Sequence, residues 1–272
     1  LNSFAMDEEA GYLRIATTRR TWLGWQLKAT TNGLSVLQAA GGRMRQVGEL
    51  TGLARDEQLY AARFEGPLGF LVTFRRVDPL FTLDLLDPQR PRVAGELKVP
   101  GYSTYLHMLD TDHLLTVGRE ATPDGRSIGG VQLQIFDVSD FDAPAVRHQR
   151  RLGSGLSSSE AEYDHKAFTY FGARALLALP YSDWSRARSG GFVSALELLR
   201  VTAANGIAPI GSLEHSDLLQ ASDPSWPGFT PQIRRSICAD DYVYSISLGG
   251  LKVHDTRQLS RALATVRFPA PR

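Results

Sequence analysis

The pentapeptide DHKAF (164–168) places three ionisable side chains side by side at the start of an apolar run. Asp164 and His165 are residue types that serve as general acid and base, and Lys166 adds a positive charge. Together with His107, they form the acid–base set that we expect if the protein is a hydrolase or lyase. The serine-rich segment GSGLSSSE (153–160) lies just upstream, and spacing alone leaves open a Ser–His–Asp arrangement assembled in space.

Basic side chains recur at the positions that match His165 and Lys166 in the segments ARFEG, YLHML and RRSIC. These further side chains are Arg63, His107, Arg234 and Arg235. If the fold brings the six side chains to one place, they form a cationic site for an anionic ligand. The alternative is that each cation pairs with a local carboxylate. The carboxylates considered are Glu65, Asp110, Asp164 and Asp240.

Carboxylates in two turns have a spacing that could suit calcium, which prefers oxygen ligands. The turn DVSDFDAP (137–144) supplies the candidates Asp137, Asp140 and Asp142. The turn LDTDH (109–113) resembles it, but neither matches an EF-hand loop. Capping of the turn backbone by the Asp side chains is the alternative. A transition-metal site would require His107 and His113 to meet across the second turn.

All four tryptophans fall in three long insertions between predicted strands. The insertions are 19–31, 181–190 and 214–232, and the residues are Trp22, Trp25, Trp184 and Trp226. Aromatic side chains displayed on loops are typical of contacts with protein partners or carbohydrates. We therefore predict Trp25 and Trp226 as ligand-binding residues. The alternative is that each ring is buried and fixes its own loop.

The acidic stretch VDPLFTLDLLDPQRPRVAGEL (77–97) is predicted to be architecture rather than a site. Asp87 and Pro88 suit a turn between two strands, because Pro restricts φ and Asp caps its own backbone. Asp84 lies inside a predicted strand and needs a partner if it is buried. We expect Arg75 or Arg76 to be that partner.

Short β-type runs separated by Gly, Pro, Asp and Asn must position all of these side chains. The runs predicted as strands are YLRIATT (12–18), FLVTF (70–74), LFTLDLL (80–86), HLLTVG (113–118), VQLQIFDV (131–138), ALLALP (175–180), VSALELL (193–199), YVYSIS (242–247) and LKVHD (251–255). Helical periodicity is not sustained anywhere. The best helix candidates are short, at 216–220 and at 257–263, where a turn is the alternative. The sequence therefore predicts an all-β protein.

A strand–turn–strand segment recurs five times, and each copy follows two further strands. The copies at 34–50 and 80–97 end on the same G-E-L, and the others lie at 133–152, 195–213 and 251–268. Self-similar units of four strands predict a β-propeller, whose first strands line a central channel. The six basic side chains would then crowd one channel mouth. The predicted blades are 1–52, 53–99, 100–153, 154–216 and 217–272.

The chain resembles the secreted bacterial and archaeal proteins with a C-terminal β-propeller distantly related to WD repeats, known as the beta-propeller-domain family. The matching segments are LNSFAMDEEAGYLRIATT (1–18), the block from 60 to 118, LQIFDVSDFDAPAV (133–146), DHKAF (164–168) and RRSICADDYVYSISLGGLKVHD (234–255). The resemblance implies an extracellular or cell-surface location. It also implies that the chain continues from a missing N-terminal region, in which case the five blades are part of a larger ring. It implies no catalytic residue.

Composition limits the partners that we expect. The 272 residues carry 30 Lys and Arg against 29 Asp and Glu, so no basic field predicts nucleic-acid binding. No apolar run approaches the length of a membrane span. The single cysteine, Cys238, excludes an intrachain disulfide, and we expect no cofactor beyond a structural Ca²⁺.

The leading hypothesis is an extracellular, non-enzymatic binding scaffold with its ligand at one face of the propeller. The expected ligand is a protein, an anionic molecule or a carbohydrate. The alternative is an extracellular hydrolase or lyase that uses His165, Asp164 and His107. A third hypothesis makes the blades a structural spacer for the preceding region.

Overall fold

The structure is a computed structural model that describes residues 3–74, 78–122, 126–184, 192–218 and 231–269. These ranges form five antiparallel sheets of four strands, and within each sheet consecutive strands are neighbours. The sheets are the blades of an all-β propeller, which confirms the predicted fold class. The helical segments among the described residues are all short 3-10 turns, at Ser3–Ala5, Glu160–Glu162, His165–Ala167, Gly172–Arg174 and Ser216–Leu218.

The strands are numbered in chain order. Sheet 1 holds β1 (Met6–Glu9), β2 (Tyr12–Leu23), β3 (Gln26–Ala40) and β4 (Arg43–Leu53). Sheet 2 holds β5 (Gln58–Glu65), β6 (Leu68–Phe74), β7 (Asp78–Asp84) and β8 (Arg92–Val99). Sheet 3 holds β9 (Tyr102–Met108), β10 (His113–Ala121), β11 (Ile128–Asp137) and β12 (Ala145–Leu152). Sheet 4 holds β13 (Thr169–Phe171), β14 (Leu176–Asp183), β15 (Val193–Thr202) and β16 (Gly206–Glu214). Sheet 5 holds β17 (Ile233–Ala239), β18 (Tyr242–Ser247), β19 (Gly250–Asp255) and β20 (Ala264–Arg267).

The chain divides into two compact units. Unit 1 comprises Leu1–Ile128 and Ile135–Arg147, and unit 2 comprises Gly129–Gln134 and His148–Arg272. In unit 1, one apolar core joins sheets 1 and 2 around Leu34, Leu71 and Leu83. A second core of unit 1 forms around Phe70, Leu114 and Phe136. In unit 2, Leu196, Leu198 and Val243 belong to a core shared by sheets 4 and 5.

A glycine recurs on the fourth strand of sheets 1, 2 and 4, and it explains the repeated G-E-L. Gly48, Gly95 and Gly211 each follow a β-bulge on the fourth strand. A Cβ atom at Gly48 would lie 2.1 Å from the Pro88 oxygen, and one at Gly95 would lie 2.6 Å from the Asp142 oxygen. The missing side chain therefore lets the turn between the third and fourth strands of the next sheet approach closely.

Two expectations about irregular segments are wrong. The predicted insertion at 19–31 is instead the outer part of a long hairpin, in which β2 pairs with β3 as far as Leu23 opposite Gln26. The helix expected at 216–220 is only the 3-10 turn Ser216–Leu218 over its described residues, and the 257–263 segment is a turn.

In the described part of the stretch at 77–97, Asp87 builds a turn, as predicted. Asp87 caps the turn after β7 by accepting a hydrogen bond from the Gln89 backbone N at 3.0 Å. Asp84 ends β7, and its Oδ2 accepts from Nη2 of Arg92 at 2.7 Å. Arg92 lies directly opposite Asp84 in the β7–β8 register. The partners that we expected, Arg75 and Arg76, lie outside the described residues.

Candidate functional site

Four of the six predicted basic residues belong to unit 2. Asp164 caps the 3-10 turn His165–Ala167, because its Oδ1 accepts a hydrogen bond from the Lys166 backbone N at 3.0 Å. His165 and Lys166 therefore lie in the turn that precedes the short strand β13, the first strand of sheet 4. Arg234 and Arg235 lie on β17.

Both arginines of β17 pair with carboxylates. Nη2 of Arg234 donates to Oε1 of Glu160 at 2.6 Å, and Nε of Arg234 donates to the same oxygen at 3.2 Å. Arg235 forms an ion pair with Asp164 and lies 3.6 Å from Glu160. Local pairing, the alternative to an open cationic site, therefore describes these two arginines. We call the four side chains the exposed ion-pair cluster.

The pKa values of this cluster favour its charged forms. The Lys166 backbone N–H is the largest influence that holds the pKa of Asp164 below its ordinary value, and Arg235 acts in the same direction. The hydrogen bond with Glu160 raises the pKa of Arg234. The cluster contains two arginines and two carboxylates, so its formal charges balance.

The other two basic residues lie in unit 1. Nη2 of Arg63 is 3.3 Å from Oε2 of Glu65, and its guanidinium lies over the Phe4 ring at 5.5 Å from the centroid. Burial lowers the pKa of His107 to about 4, with Arg63 acting in the same direction and Glu65 against it. The imidazole of His107 is therefore neutral at physiological pH.

These positions give little support to acid–base catalysis. A general acid or base works best when its pKa is near the operating pH. Asp164 is held ionised by the Lys166 N–H and Arg235, and the pKa of His107 is far below neutrality.

The predicted calcium ligands are engaged in turns and ion pairs. Asp137 accepts from Ser139 Oγ at 2.6 Å and from Nη1 of Arg147 at 2.9 Å. Asp140 accepts from the Asp142 backbone N at 3.2 Å. Within the described residues, no group of three or more His, Cys, Asp or Glu side chains has metal-binding geometry. The arrangement fits Asx-type capping.

His107 and His113 are not directly opposite each other in the hairpin that joins their strands. His107 lies opposite Leu115 in the β9–β10 register. Nδ1 of His113 is 2.8 Å from Oδ1 of Asp110, within the turn itself. The transition-metal arrangement considered from the sequence stays a prediction.

The serine-rich segment at 153–160 is structural. Ser154 donates from its backbone N and its Oγ to the buried carboxylate of Asp183, at 2.9 and 2.7 Å. Ser157 Oγ lies 2.8 Å from the Leu152 oxygen, and Ser159 Oγ donates to the Pro180 oxygen at 2.6 Å. These hydroxyls hold the connection before β13, and nothing in their geometry indicates a nucleophile.

The β2–β3 hairpin displays the most exposed tryptophan of the described residues. Trp25 is 99% exposed in the two-residue turn at the tip. Trp22 and Leu23 at the end of β2 are 56% and 67% exposed, and Leu27 at the start of β3 is 49% exposed. We call these four side chains the hairpin tip.

A cleft of about 320 Å³ lies beside the hairpin in unit 1. Trp22 and Leu27 line it together with Tyr60 and Phe74, whose rings contact each other edge to face with centroids 5.7 Å apart. Its polar lining comes from Arg20, Thr30, Asp56, Glu57 and Gln58. The cleft therefore has a mixed lining, with an aromatic wall and several polar groups that could orient a ligand.

The remaining tryptophans, Trp184 and Trp226, do not belong to the hairpin tip. Trp184 is 56% exposed, and its ring lies 4.8 Å from that of Phe192. Trp226, predicted to bind ligand, lies outside the described residues.

A buried polar cluster in unit 2 was not anticipated from the sequence. His215 is fully buried; its Nδ1 and Nε2 lie 2.8 Å from the hydroxyls of Ser247 and Ser245. Lys252 is 9% exposed, donates to the Glu214 oxygen at 3.1 Å and pairs with Asp217. We call His215, Ser245, Ser247 and Lys252 the buried polar cluster. The alternating serines of YVYSIS were the only sequence signal for it.

Comparison with known proteins establishes the class. The Beta propeller domain model matches residues 1–259, and the chain belongs to that family. An uncharacterized protein of Archaeoglobus fulgidus is 34% identical over 94% of the chain. One from Methanocaldococcus jannaschii is 38% identical over 60% of the chain. The chain spans 33% and 24% of the length of these archaeal relatives.

A solved structure supports the fold alone. The crystal structure of Chaetomium thermophilum Sqt1 aligns with 95% of this chain and 68% of its own, with a TM-score of 0.51 and 11% sequence identity. In the described residues, no helix is both long and apolar enough to cross a membrane.

Proposed function

We propose that the protein is a non-enzymatic binding scaffold and that the hairpin tip is its docking element for a protein partner. The observation that carries this proposal is the exposure of four large apolar side chains within six consecutive positions, Trp22 to Leu27. Exposed apolar residues are common singly, whereas adjoining ones mark an interaction site, and Trp22 lies directly opposite Leu27 in the β2–β3 register.

The hairpin presents these side chains on paired backbone. β2 and β3 remain in antiparallel register from Tyr12 opposite Gln38 to Leu23 opposite Gln26. A docking element that is already ordered loses less conformational entropy on binding. Tryptophan is also enriched among the residues that contribute most to binding energy in interfaces.

The cleft beside the hairpin extends this surface. Tyr60 is 38% exposed and adds an aromatic wall, while Arg20 and Asp56 supply charge at the edge. A partner that covers Trp25 can therefore also reach polar groups that orient it. The same aromatic and polar character suits a carbohydrate, which is the competing ligand class in the test below.

The experiment selects peptides from a displayed random library on the wild-type protein and measures their affinity by fluorescence anisotropy. We expect Trp22→Thr combined with Trp25→Ser to weaken the selected peptides by at least about 30-fold, the size of an interface hot spot. The matched control is Trp184→Ser, because Trp184 is as exposed as Trp22. Peptide affinities that are unchanged in the hairpin variant would contradict the proposal. Binding of the wild-type protein to a glycan array, when no peptide is selected, would also contradict it.

An extracellular or cell-surface location stays a prediction from the family resemblance. A bound calcium ion also stays a prediction, made from the sequence. The side-chain oxygens of Asp137 and Asp140 already accept hydrogen bonds within the turn. The greater length of the archaeal relatives means that the proposal concerns this propeller and not the activity of a longer protein.

A further inference from the structure

A second apolar surface lies in unit 1 and does not include the hairpin tip. A pocket of about 260 Å³ is walled by Tyr12, Leu85 and three prolines, Pro67, Pro88 and Pro91. A second pocket of about 310 Å³ is lined by Leu68, Ala94 and Phe141. Pro67 and Leu86 line both pockets, so the two are adjacent and share a ridge.

Leu86 forms the crest of this ridge and is 77% exposed. Its backbone is held in place, because the Leu86 N donates to Oδ1 of Asp84 at 3.0 Å and the Leu85 N donates to the Pro67 oxygen at 2.8 Å. Large apolar side chains are ordinarily withdrawn from water when local structure permits. We call the ridge and its two pockets the Leu86 groove.

The floor of the first pocket is fixed by Arg14. This side chain is 3% exposed, pairs with Asp7 and donates to the Gly66 oxygen. Its guanidinium also lies 5.3 Å from the Phe64 ring centroid. Arg14 therefore ties β1 and β2 of sheet 1 to the β5–β6 turn of sheet 2, and the pocket is formed before any ligand binds.

The rim of the groove carries a net negative charge. Glu9 and Asp142 are exposed, and the Asp142 side chain keeps 74% of its accessible surface. The nearest cation, Arg92, is paired with Asp84 at 2.7 Å and lies 4.0 Å from Asp142. Arg14 is neutralised by Asp7. The rim therefore carries three carboxylates, Glu9, Asp84 and Asp142, and the single guanidinium of Arg92 does not balance their charge.

We infer that the Leu86 groove binds an extended polypeptide segment of a partner, with two apolar side chains on either side of Leu86 and Lys or Arg beside them. Two neighbouring apolar pockets fit alternate side chains of a strand, which point to one face at every second residue. The acidic rim selects a basic flank by charge complementarity.

The test uses short fluorescein-labelled peptides with two leucines at positions i and i+2 or i and i+4, flanked by lysines. Matched peptides replace the lysines by glutamates or the leucines by serines. We expect the Lys-flanked peptide with one of the two leucine spacings to bind, and its Glu-flanked version to bind at least about 10-fold more weakly. Raising the salt concentration from about 50 to about 300 mM should weaken binding. The serine peptides should not bind.

Two variants locate the binding. Leu86→Ser should weaken the Lys-flanked peptide at least about 10-fold, a loss in the range of an anchor residue. Leu248→Ser is the matched control, because Leu248 is 75% exposed and lies in unit 2. Ala94→Trp, which fills the second pocket, should also abolish the preference for one leucine spacing.

The inference is overturned if no Lys-flanked peptide binds more tightly than about 1 mM, the range of a very weak contact. Equal affinity of the Leu86→Ser and Leu248→Ser variants would also overturn it. The inference is also overturned if changing Trp22 and Trp25 abolishes peptide binding while Leu86→Ser has no effect, because the peptide would then occupy the hairpin tip. If only the hairpin proposal is wrong, Leu86→Ser still weakens the binding of the Lys-flanked peptide.

Discussion

The buried polar cluster and the exposed ion-pair cluster are both polar groups of unit 2, but their surroundings differ. His215 is fully buried, and both of its ring nitrogens have a serine hydroxyl at 2.8 Å. Arg234 keeps 48% of its side-chain surface and meets Glu160 in contact with water. A buried polar group that loses its partner has no water to replace it, whereas an exposed ion pair exchanges one solvated state for another.

We therefore expect the fold to depend on the buried polar cluster more than on the charged residues that are conspicuous in the sequence. DHKAF and RRSIC attract attention because their charges are adjacent. His215 is a single histidine between a strand and a 3-10 turn, and its importance follows from burial. The variants below test this contrast.

The largest effect is expected for His215→Ala. This change leaves the hydroxyls of Ser245 and Ser247 without their imidazole partner and opens a cavity. We expect the free energy of unfolding to fall by about 4 kcal/mol. His148→Ala is the control, because the partly buried His148 contacts one carbonyl oxygen, of Ala203 at 3.0 Å, and should lose about 1 kcal/mol. Chemical denaturation measures both, and equal losses would contradict the contrast.

A somewhat smaller effect is expected from acid. Burial, followed by the charge of Lys252, lowers the pKa of His215 to about 4. The unfolded chain therefore binds this proton near pH 6.5, before the folded protein does. The contribution of His215 to stability should be constant above that pH and fall by about 3 kcal/mol as the pH drops to about 4.

The variant His215→Gln isolates this contribution, because glutamine retains hydrogen-bonding groups and does not titrate. We expect its unfolding free energy to vary less with pH between 6.5 and 4 than that of the wild type. Some dependence should remain, since His107 also has its pKa lowered to about 4 by burial. A wild-type and variant pair with the same pH dependence would show that His215 is not the group that titrates.

The smallest effect is expected for Arg234→Ala in the exposed ion-pair cluster. The guanidinium is replaced by water at Glu160, and Arg235 remains 3.6 Å from the same carboxylate. We expect the melting temperature to change by less than about 2 °C. Differential scanning fluorimetry checks this, and a shift as large as that of His215→Ala would remove the distinction between the two clusters.

Much of the fold could be predicted because its signals are local. YVYSIS and VSALELL show the apolar alternation of strands, and both lie within observed strands, β18 and β15. The two copies of G-E-L occupy equivalent positions in sheets 1 and 2, since Gly48 and Gly95 make the same close approach to the next sheet. The all-β propeller class followed from these patterns.

The hairpin shows where local signals were insufficient. The 19–31 segment has polar residues such as Arg19, Arg20 and Lys28, so it lacks the apolar alternation by which strands are recognised. Its strands are instead held by backbone pairing with each other. Trp22 was consequently assigned to a loop, although the exposure of Trp25 was in line with the expected display of aromatic side chains.

Asp84 is an intermediate case. The need for a partner was evident from its place in a strand, but the arginines considered were its sequence neighbours Arg75 and Arg76. The observed partner, Arg92, lies directly across the β7–β8 pair, a position that depends on the register of the hairpin.

The all-β class, the four-stranded repeat and the turn at Asp87 were predictable from the sequence, because period-two alternation and turn residues act over a few neighbouring positions. Which polar groups are neutralised and which are buried depends instead on contacts between distant segments. Arg234 meets Glu160 across 74 residues, and His215 meets Ser245 and Ser247 across 30 and 32. Such pairings are created by the packing of sheets, which brings distant segments together in a low-dielectric interior or at a solvated edge.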